Sequence, residues 1–298
     1  MSTDRSDPSL GYTLPFQLTK KIHRKVPDIL LPEREENLQR GKIIVITGGG
    51  TGIGAVRRPS LHRVGGTTLI IILTRLPRLN NGVTKVLAVP TDLVDESQVA
   101  NLFQQVNKAF GRPADVVIAN AGLALDTLKP VAEESVSTWW RVHETNVLGV
   151  HNTVVAWIRS QPDPKNPVGT MINVNSGLAG KIVPGNSAYS ISKLASHRYM
   201  EFVAAEYPGI RSFTLLPGVV MSDMSQDSPF VQYAKDEAEQ TGALALFLAS
   251  SRANYLKGSL TSVNWDLDEM EAHKADIEQG LLTVKWVPIL PTSGGSGF

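Results

Sequence analysis

From Lys42 onward the chain alternates short apolar, β-branched runs with longer segments of helical length. The runs Ile43–Thr47, Thr67–Leu73, Val86–Val89, Asp115–Ala119, Thr170–Val174, Ser212–Leu216 and Leu260–Trp265 are continuously apolar rather than alternating. Strands covered on both faces have this pattern. Between them, Glu96–Phe110, Val136–Arg159, Ala188–Tyr207 and Glu237–Leu248 read as helices. Such alternation implies right-handed βαβ crossovers. It predicts an α/β fold with a doubly wound, mostly parallel sheet of seven strands, spanning residues 41–287. Residues 1–40 show no sustained period and are interrupted by Pro8, Pro15 and Pro27. They read as an arm lying on the domain. Their basic cluster Lys20–Lys25 could instead meet a membrane surface or a partner, but Glu33, Glu35 and Glu36 follow it and offset the charge. Residues 288–298 are rich in Pro, Gly and Ser and read as a flexible tail.

Composition narrows the chemistry. A length of 298 residues alone suggests about two domains. The motifs below run from Thr47 to Gly218 across one sheet, so a single domain is expected. With 42% hydrophobic residues the chain can form a sizeable core. Its 29 basic and 28 acidic residues leave a net charge of +1, which provides no global field for nucleic acid. The absence of cysteine excludes disulfides, Cys-ligated zinc, iron–sulfur clusters and a thiol nucleophile. The longest strongly apolar run is far short of the roughly 20 residues that span a bilayer. The first thirty residues lack a signal-peptide core. The expectation is a cytoplasmic protein with no transmembrane segment.

Directly after the first strand comes Thr47-Gly48-Gly49-Gly50-Thr51-Gly52-Ile53-Gly54. Glycines at a strand-to-helix turn let the backbone approach a pyrophosphate, which the helix N-terminus then favours. Ala55-Val56 follow Gly54, so the run is not a P-loop. The second strand ends Leu73-Thr74-Arg75, about 20 residues past the glycines. An NAD site places an acid there, whereas a cation suits a 2′-phosphate, so NADP(H) is favoured over NAD(H). A solvated surface charge is the other reading of Arg75. Pro59 falls inside the helix after the glycines, where proline costs ~3 kcal/mol or more. That helix is expected to be kinked or to start late.

Tyr189-Ser190-Ile191-Ser192-Lys193 sets a phenol and an ammonium at i and i+4 on one helix face. Ser176 lies thirteen residues upstream, at the end of a buried strand. No Gly-x-Ser-x-Gly elbow surrounds Ser176, and no histidine pattern suits a metal.

These motifs together resemble the short-chain dehydrogenase/reductase family. The matches are Thr47-Gly-x-x-x-Gly52-x-Gly54, Asp92-Leu93, Asn120-Ala121-Gly122, Asn146, Ser176, Tyr189-x-x-x-Lys193 and Pro217-Gly218, in order over roughly residues 41–265. Leu14–Leu18 and Ser262–Asp266 are similar to the fungal natural-product branch. The resemblance implies a Rossmann-type sheet and NAD(P)-linked interconversion of a ketone and a secondary alcohol. It implies Tyr189 as acid/base, Ser176 as orienter of the substrate oxygen and Lys193 as ribose contact and tuner of the phenol. Asn146 would hold a water linking Lys193 to solvent. Thr47, Gly48, Thr51, Gly52, Ile53, Gly54, Arg75, Asp92, Asn120, Ala121, Gly122, Tyr189, Lys193, Pro217, Gly218 and Val220 would hold the cofactor. Leu178, Ala179, Val183, Pro184 and the segment Val219–Tyr233 would line an apolar pocket, suiting a carbonyl or alcohol from secondary metabolism. A homodimer or homotetramer is the implied assembly. Two alternatives stand beside this reading: a cofactor-binding scaffold or regulator with weak turnover, and an NAD-linked alcohol dehydrogenase.

Overall fold

The computed structural model describes residues 17–285, apart from 33, 38, 40, 51–85, 126, 127, 223, 227 and 229. Among these, β1 (Ile44–Ile46), β2 (Val116–Ala119), β3 (Gly169–Val174), β4 (Ile210–Leu216) and β5 (Leu260–Ser262) form one parallel sheet in chain order. Val45, Val117, Met171 and Ser212 lie side by side across the first four strands. The helices are α1 (Glu96–Phe110), α2 (Val136–His143), α3 (Gly149–Arg159), α4 (Ser187–Glu206), α5 (Ala238–Leu248), α6 (Leu267–Ala272) and α7 (Lys274–Glu278).

The continuous apolar runs are explained by two cores, one on each face of the sheet. Val45, Val117 and Met171 point to the face covered by Leu102 and Phe103 of α1 and Trp157 of α3. Ile44, Val116, Ile172 and Phe213 point to the opposite face, against Leu244, Phe247 and Leu248 of α5. A strand flanked this way cannot alternate apolar with polar residues without burying the polar ones. Trp157 is fully buried, and its indole N–H donates to Ala114 O at 2.9 Å.

Seven strands were expected, and five are present among the described residues. Thr67–Leu73 lies outside them. Val86–Val89 is a correction: it joins no ladder among the described residues, although Val89 is buried in the core that α1 covers. Val86, by contrast, is exposed. The single helix expected over Val136–Arg159 is interrupted by a π-helical turn, Glu144–Leu148, whose Gly149 N–H reaches back to Glu144 O.

The arm packs on the second face. Leu30 enters that core, and Ile22 forms an antiparallel bridge with Trp265. The basic cluster is matched by acids: Lys21 and His23 reach Asp266, Arg24 reaches Asp236, and Lys25 reaches Glu237.

His197 on α4 is buried, with Nδ1 2.9 Å from Thr214 Oγ1 of β4. Burial, and then the neighbouring Arg198 charge, push its pKa down to about 4. The unfolded chain therefore binds an extra proton between that value and ~6.5, the ordinary histidine value. Stability from this group is full above the upper value and is lost as pH falls through the window. His197→Gln is expected to flatten the decline of Tm across that range, measured by thermal denaturation. An unchanged slope would refute the role.

Candidate active site

Thr47, directly after β1, is buried and acts as a hub. Its Oγ1 accepts from the backbone N–H groups of Asn120 and Ala121, each at 3.0 Å. The Asn120 amide donates back to Thr47 O at 3.0 Å and to Gly48 O at 3.3 Å. The turn after β1 and the turn after β2 are thereby laced together. Gly48 sits at φ +65°, and a Cβ there would lie 2.7 Å from Ala121 Cα. Only glycine meets both constraints. Thr51, Gly52, Ile53, Gly54, Arg75 and Pro59 lie outside the described residues.

Gly122 follows, and a Cβ on it would lie 3.3 Å from Lys193 Nζ and 3.4 Å from Asn146 Oδ1. Asn146, in the π-helical turn, is buried. Its Oδ1 accepts from Leu123 N at 2.8 Å, and its Nδ2 donates to Leu123 O at 2.9 Å and to Ser192 Oγ at 3.0 Å. π-turns inside helices recur at functional sites, and this one carries Asn146.

The end of β3 is stitched to α4. Lys193 Nζ donates to Val174 O at 3.0 Å, and Asn175 Nδ2 donates to Lys193 O at 2.9 Å. Asn175 Oδ1 also accepts from Ser176 N at 2.8 Å, and Ser176 Oγ accepts from Leu178 N at 3.2 Å. Lys193 Nζ lies 5.6 Å from the centre of the Tyr189 ring. Lys193 is buried, and loss of hydration pushes its pKa down to about 8. Tyr189 and Ser176 stay partly exposed beside it.

At the end of β4, Gly218 adopts φ +73°, and a Cβ there would lie 2.4 Å from Asp236 Oδ2. Val220 bridges to Asp236, and Pro217 O accepts from Thr241 Oγ1. Asp92 sits elsewhere, on an exposed turn where its Oδ1 accepts from Val94 N at 3.0 Å. The strand-end turns thus gather Thr47, Gly48, Asn120, Ala121, Gly122, Asn146, Ser176, Tyr189, Lys193, Pro217, Gly218 and Val220 along the carboxyl edge of the sheet, where open α/β folds take their ligands. Sequence reasoning missed the supporting roles of Asn175, Ser192 and Asp236. Asn175 carried a signal, since a polar residue at the end of a buried strand needs partners.

A parallel sheet covered on both faces, with glycine-bearing turns laced at its carboxyl edge, defines an α/β protein built for a dinucleotide. At Gly48 and Gly122 a Cβ would crowd Ala121, Lys193 and Asn146, so these strand-end turns are bare backbone, which suits the close approach of such a group. Residues 42–230 match the family model of the short chain dehydrogenases, and the chain belongs to that family. It is therefore an oxidoreductase acting on CH–OH or C=O groups with NAD(P). The chain is 29% identical to the short chain dehydrogenase citE of Monascus ruber, over 92% of this chain and 96% of that protein. It is also 29% identical to the short chain dehydrogenase andI of Emericella variicolor, over 81% and 87%. A short-chain dehydrogenase/reductase from Serratia marcescens shares the fold, with a TM-score of 0.61 and 22% identity over 75% of this chain and 96% of that one. No helix among the described residues is long and apolar enough to cross a membrane.

Lys193 supplies a direct test. Its folded pKa lies below the ordinary value of 10.5, so the unfolded chain binds the extra proton between about 8 and 10.5. Burying the ammonium thus costs stability below that window, and the cost is relieved as pH rises through it. Lys193→Met is expected to raise Tm at pH 7, by about 2–4 °C for each kcal/mol recovered. The gap from the parent protein should shrink towards pH 10. A lower Tm for Lys193→Met at pH 7 would contradict this account.

Proposed function

We propose that the protein is an NADP(H)-dependent oxidoreductase interconverting a ketone and a secondary alcohol, with Tyr189 as acid/base. The observation that carries the proposal is the buried Lys193 ammonium on the Tyr189 helix, pinned to the strand end that bears Ser176. Bound nicotinamide supplies or accepts the hydride. The Tyr189 hydroxyl gives its proton to the carbonyl oxygen in reduction and takes it back in oxidation. Lys193, held charged below a pKa of about 8, favours the phenolate left behind. Ser176 hydrogen-bonds the substrate oxygen as negative charge develops there. Asn146 clamps the Gly122–Leu123 backbone over Lys193 and is the proposed holder of a water in the proton path. Thr47, Gly48, Thr51, Gly52, Ile53, Gly54, Arg75, Asp92, Asn120, Ala121, Gly122, Tyr189, Lys193, Pro217, Gly218 and Val220 are the proposed cofactor contacts.

The NADP preference rests on Arg75 at the end of the second predicted strand. The substrate is proposed to be an apolar carbonyl or alcohol of secondary metabolism, supported by Met221 and Met224 exposed near the site and by the resemblance to the fungal natural-product branch. Val136 and Trp140 on α2 and Ile191, Leu194 and Phe202 on α4 are exposed apolar residues, which supports a homodimer or homotetramer.

Two experiments check the reading. Tyr189→Phe should lower turnover by about 10²–10⁴-fold, the usual worth of a positioned acid/base, while cofactor still quenches tryptophan fluorescence. A fully active variant would refute the mechanism. Arg75→Asp should weaken NADPH binding by about 10–100-fold, the equivalent of ~1.5–3 kcal/mol for a hydrogen bond to a charged group, and spare NADH. An unchanged NADPH preference would remove Arg75 from the site.

A further inference from the structure

Three segments distant in sequence converge on the Asp236 carboxylate, whose side chain has no exposed surface. Its Oδ2 accepts from Val219 N at 2.6 Å. Its Oδ1 accepts from Asn264 Nδ2 at 2.9 Å and from Arg24 Nη1 of the arm at 3.4 Å. The contact with the turn runs both ways, because Asp236 N donates to Val219 O at 3.1 Å. Gly218 lies so close to the carboxylate that any Cβ would collide with it. The turn after β4 is therefore seated on Asp236 by its own backbone.

The arm closes the other side. Glu237 N donates to Arg24 O at 3.2 Å, and His23 N donates to Asn264 O at 2.9 Å. Asn264 Nδ2 also donates to His23 O at 2.9 Å. Arg24 is mostly buried. Burial pushes the Asp236 pKa up, while the bond from Val219 and the Arg24 charge oppose the shift. Removing the guanidinium would leave a buried carboxylate without its cation, which either takes up a proton or draws in water. Either outcome loosens the acceptor on which Val219 N depends.

We propose that Arg24 is a positioning residue for the cofactor site: acting through Asp236, it fixes the Gly218–Val220 turn. The link to cofactor rests on the reading under Proposed function that this turn meets it. The link from arm to turn stands on the hydrogen bonds alone. A segment outside the glycine and Tyr-x-x-x-Lys motifs thus becomes part of what shapes the site.

The test compares the full-length protein with Arg24→Met, Arg24→Lys and, as a control on the same arm, Lys25→Ala, whose ammonium is exposed beside Glu237. NADPH affinity is read by tryptophan quenching, and backbone exchange by hydrogen–deuterium mass spectrometry of residues 217–222. Arg24→Met should raise the NADPH Kd about tenfold and speed exchange in that peptide while the rest of the sheet stays protected. Arg24→Lys should recover affinity to within about threefold, and Lys25→Ala should match the parent. A Kd within twofold of the parent in Arg24→Met overturns the proposal. So does a loss that lysine does not rescue, or faster exchange spread across the sheet. Arg24→Gln serves the same comparison should Arg24→Met not fold. If the parent binds no NADPH, the cofactor reading fails, and the exchange of 217–222 alone decides whether Arg24 fixes the turn.

Discussion

The buried ammonium of Lys193 is the constraint to which the rest of the site answers. A cation removed from water needs acceptors, and here the acceptor is the carbonyl of Val174, with no carboxylate paired to it among the described residues. That choice leaves the ammonium's charge without a countercharge among those residues. It also dictates the surroundings. The strand end must present a free carbonyl, so β3 stops at Val174 and its next residues turn away into a 3-10 segment. Gly122 must have no side chain, since one would crowd the nitrogen. Asn175 must hold the Lys193 backbone, because a misplaced helix would misplace the charge.

Several features of the fold are legible from residues alone, because their cause is local. The runs at β1 and β2 are apolar on both sides because both sides are covered, and no other arrangement explains Ile43 to Ile46 so simply. Asp95 before Glu96 and Gly111 after Phe110 mark α1 at both ends: the acid caps two free N–H groups, and the glycine takes the left-handed turn. Tyr189 and Lys193 stand out by their i, i+4 spacing and Thr47 by opening the glycine run, whereas Asn120 is singled out only by the family resemblance.

What escaped the sequence depends on long-range geometry. Val86–Val89 is as apolar as a strand, yet it joins no ladder among the described residues, and of the four only Val89 is buried in the core beside α1. The π-helical turn at Glu144–Leu148 leaves the apolar period almost unchanged, so nothing in the pattern separates it from the α-helices on either side. Asp236 looks like an ordinary solvent-facing acid before α5. Its role emerges only when Val219, Asn264 and Arg24 come together around it.

The arm's anchorage has a consequence for how the chain reaches this state. The backbone N–H groups of Lys20 and Lys21 donate to the Glu269 carboxylate, and Ile22 pairs with Trp265, partners some 240 to 250 positions away. The five strands, by contrast, each pair with the next one among the described residues. The segment around Lys20–Ile22 has no partner until Trp265 and Glu269 are in place, whereas neighbouring strands can pair over shorter loops. Closing so long a loop carries the larger entropy cost. The arm is thus held in place by contacts that span most of the chain, while the sheet it covers rests on shorter-range pairings.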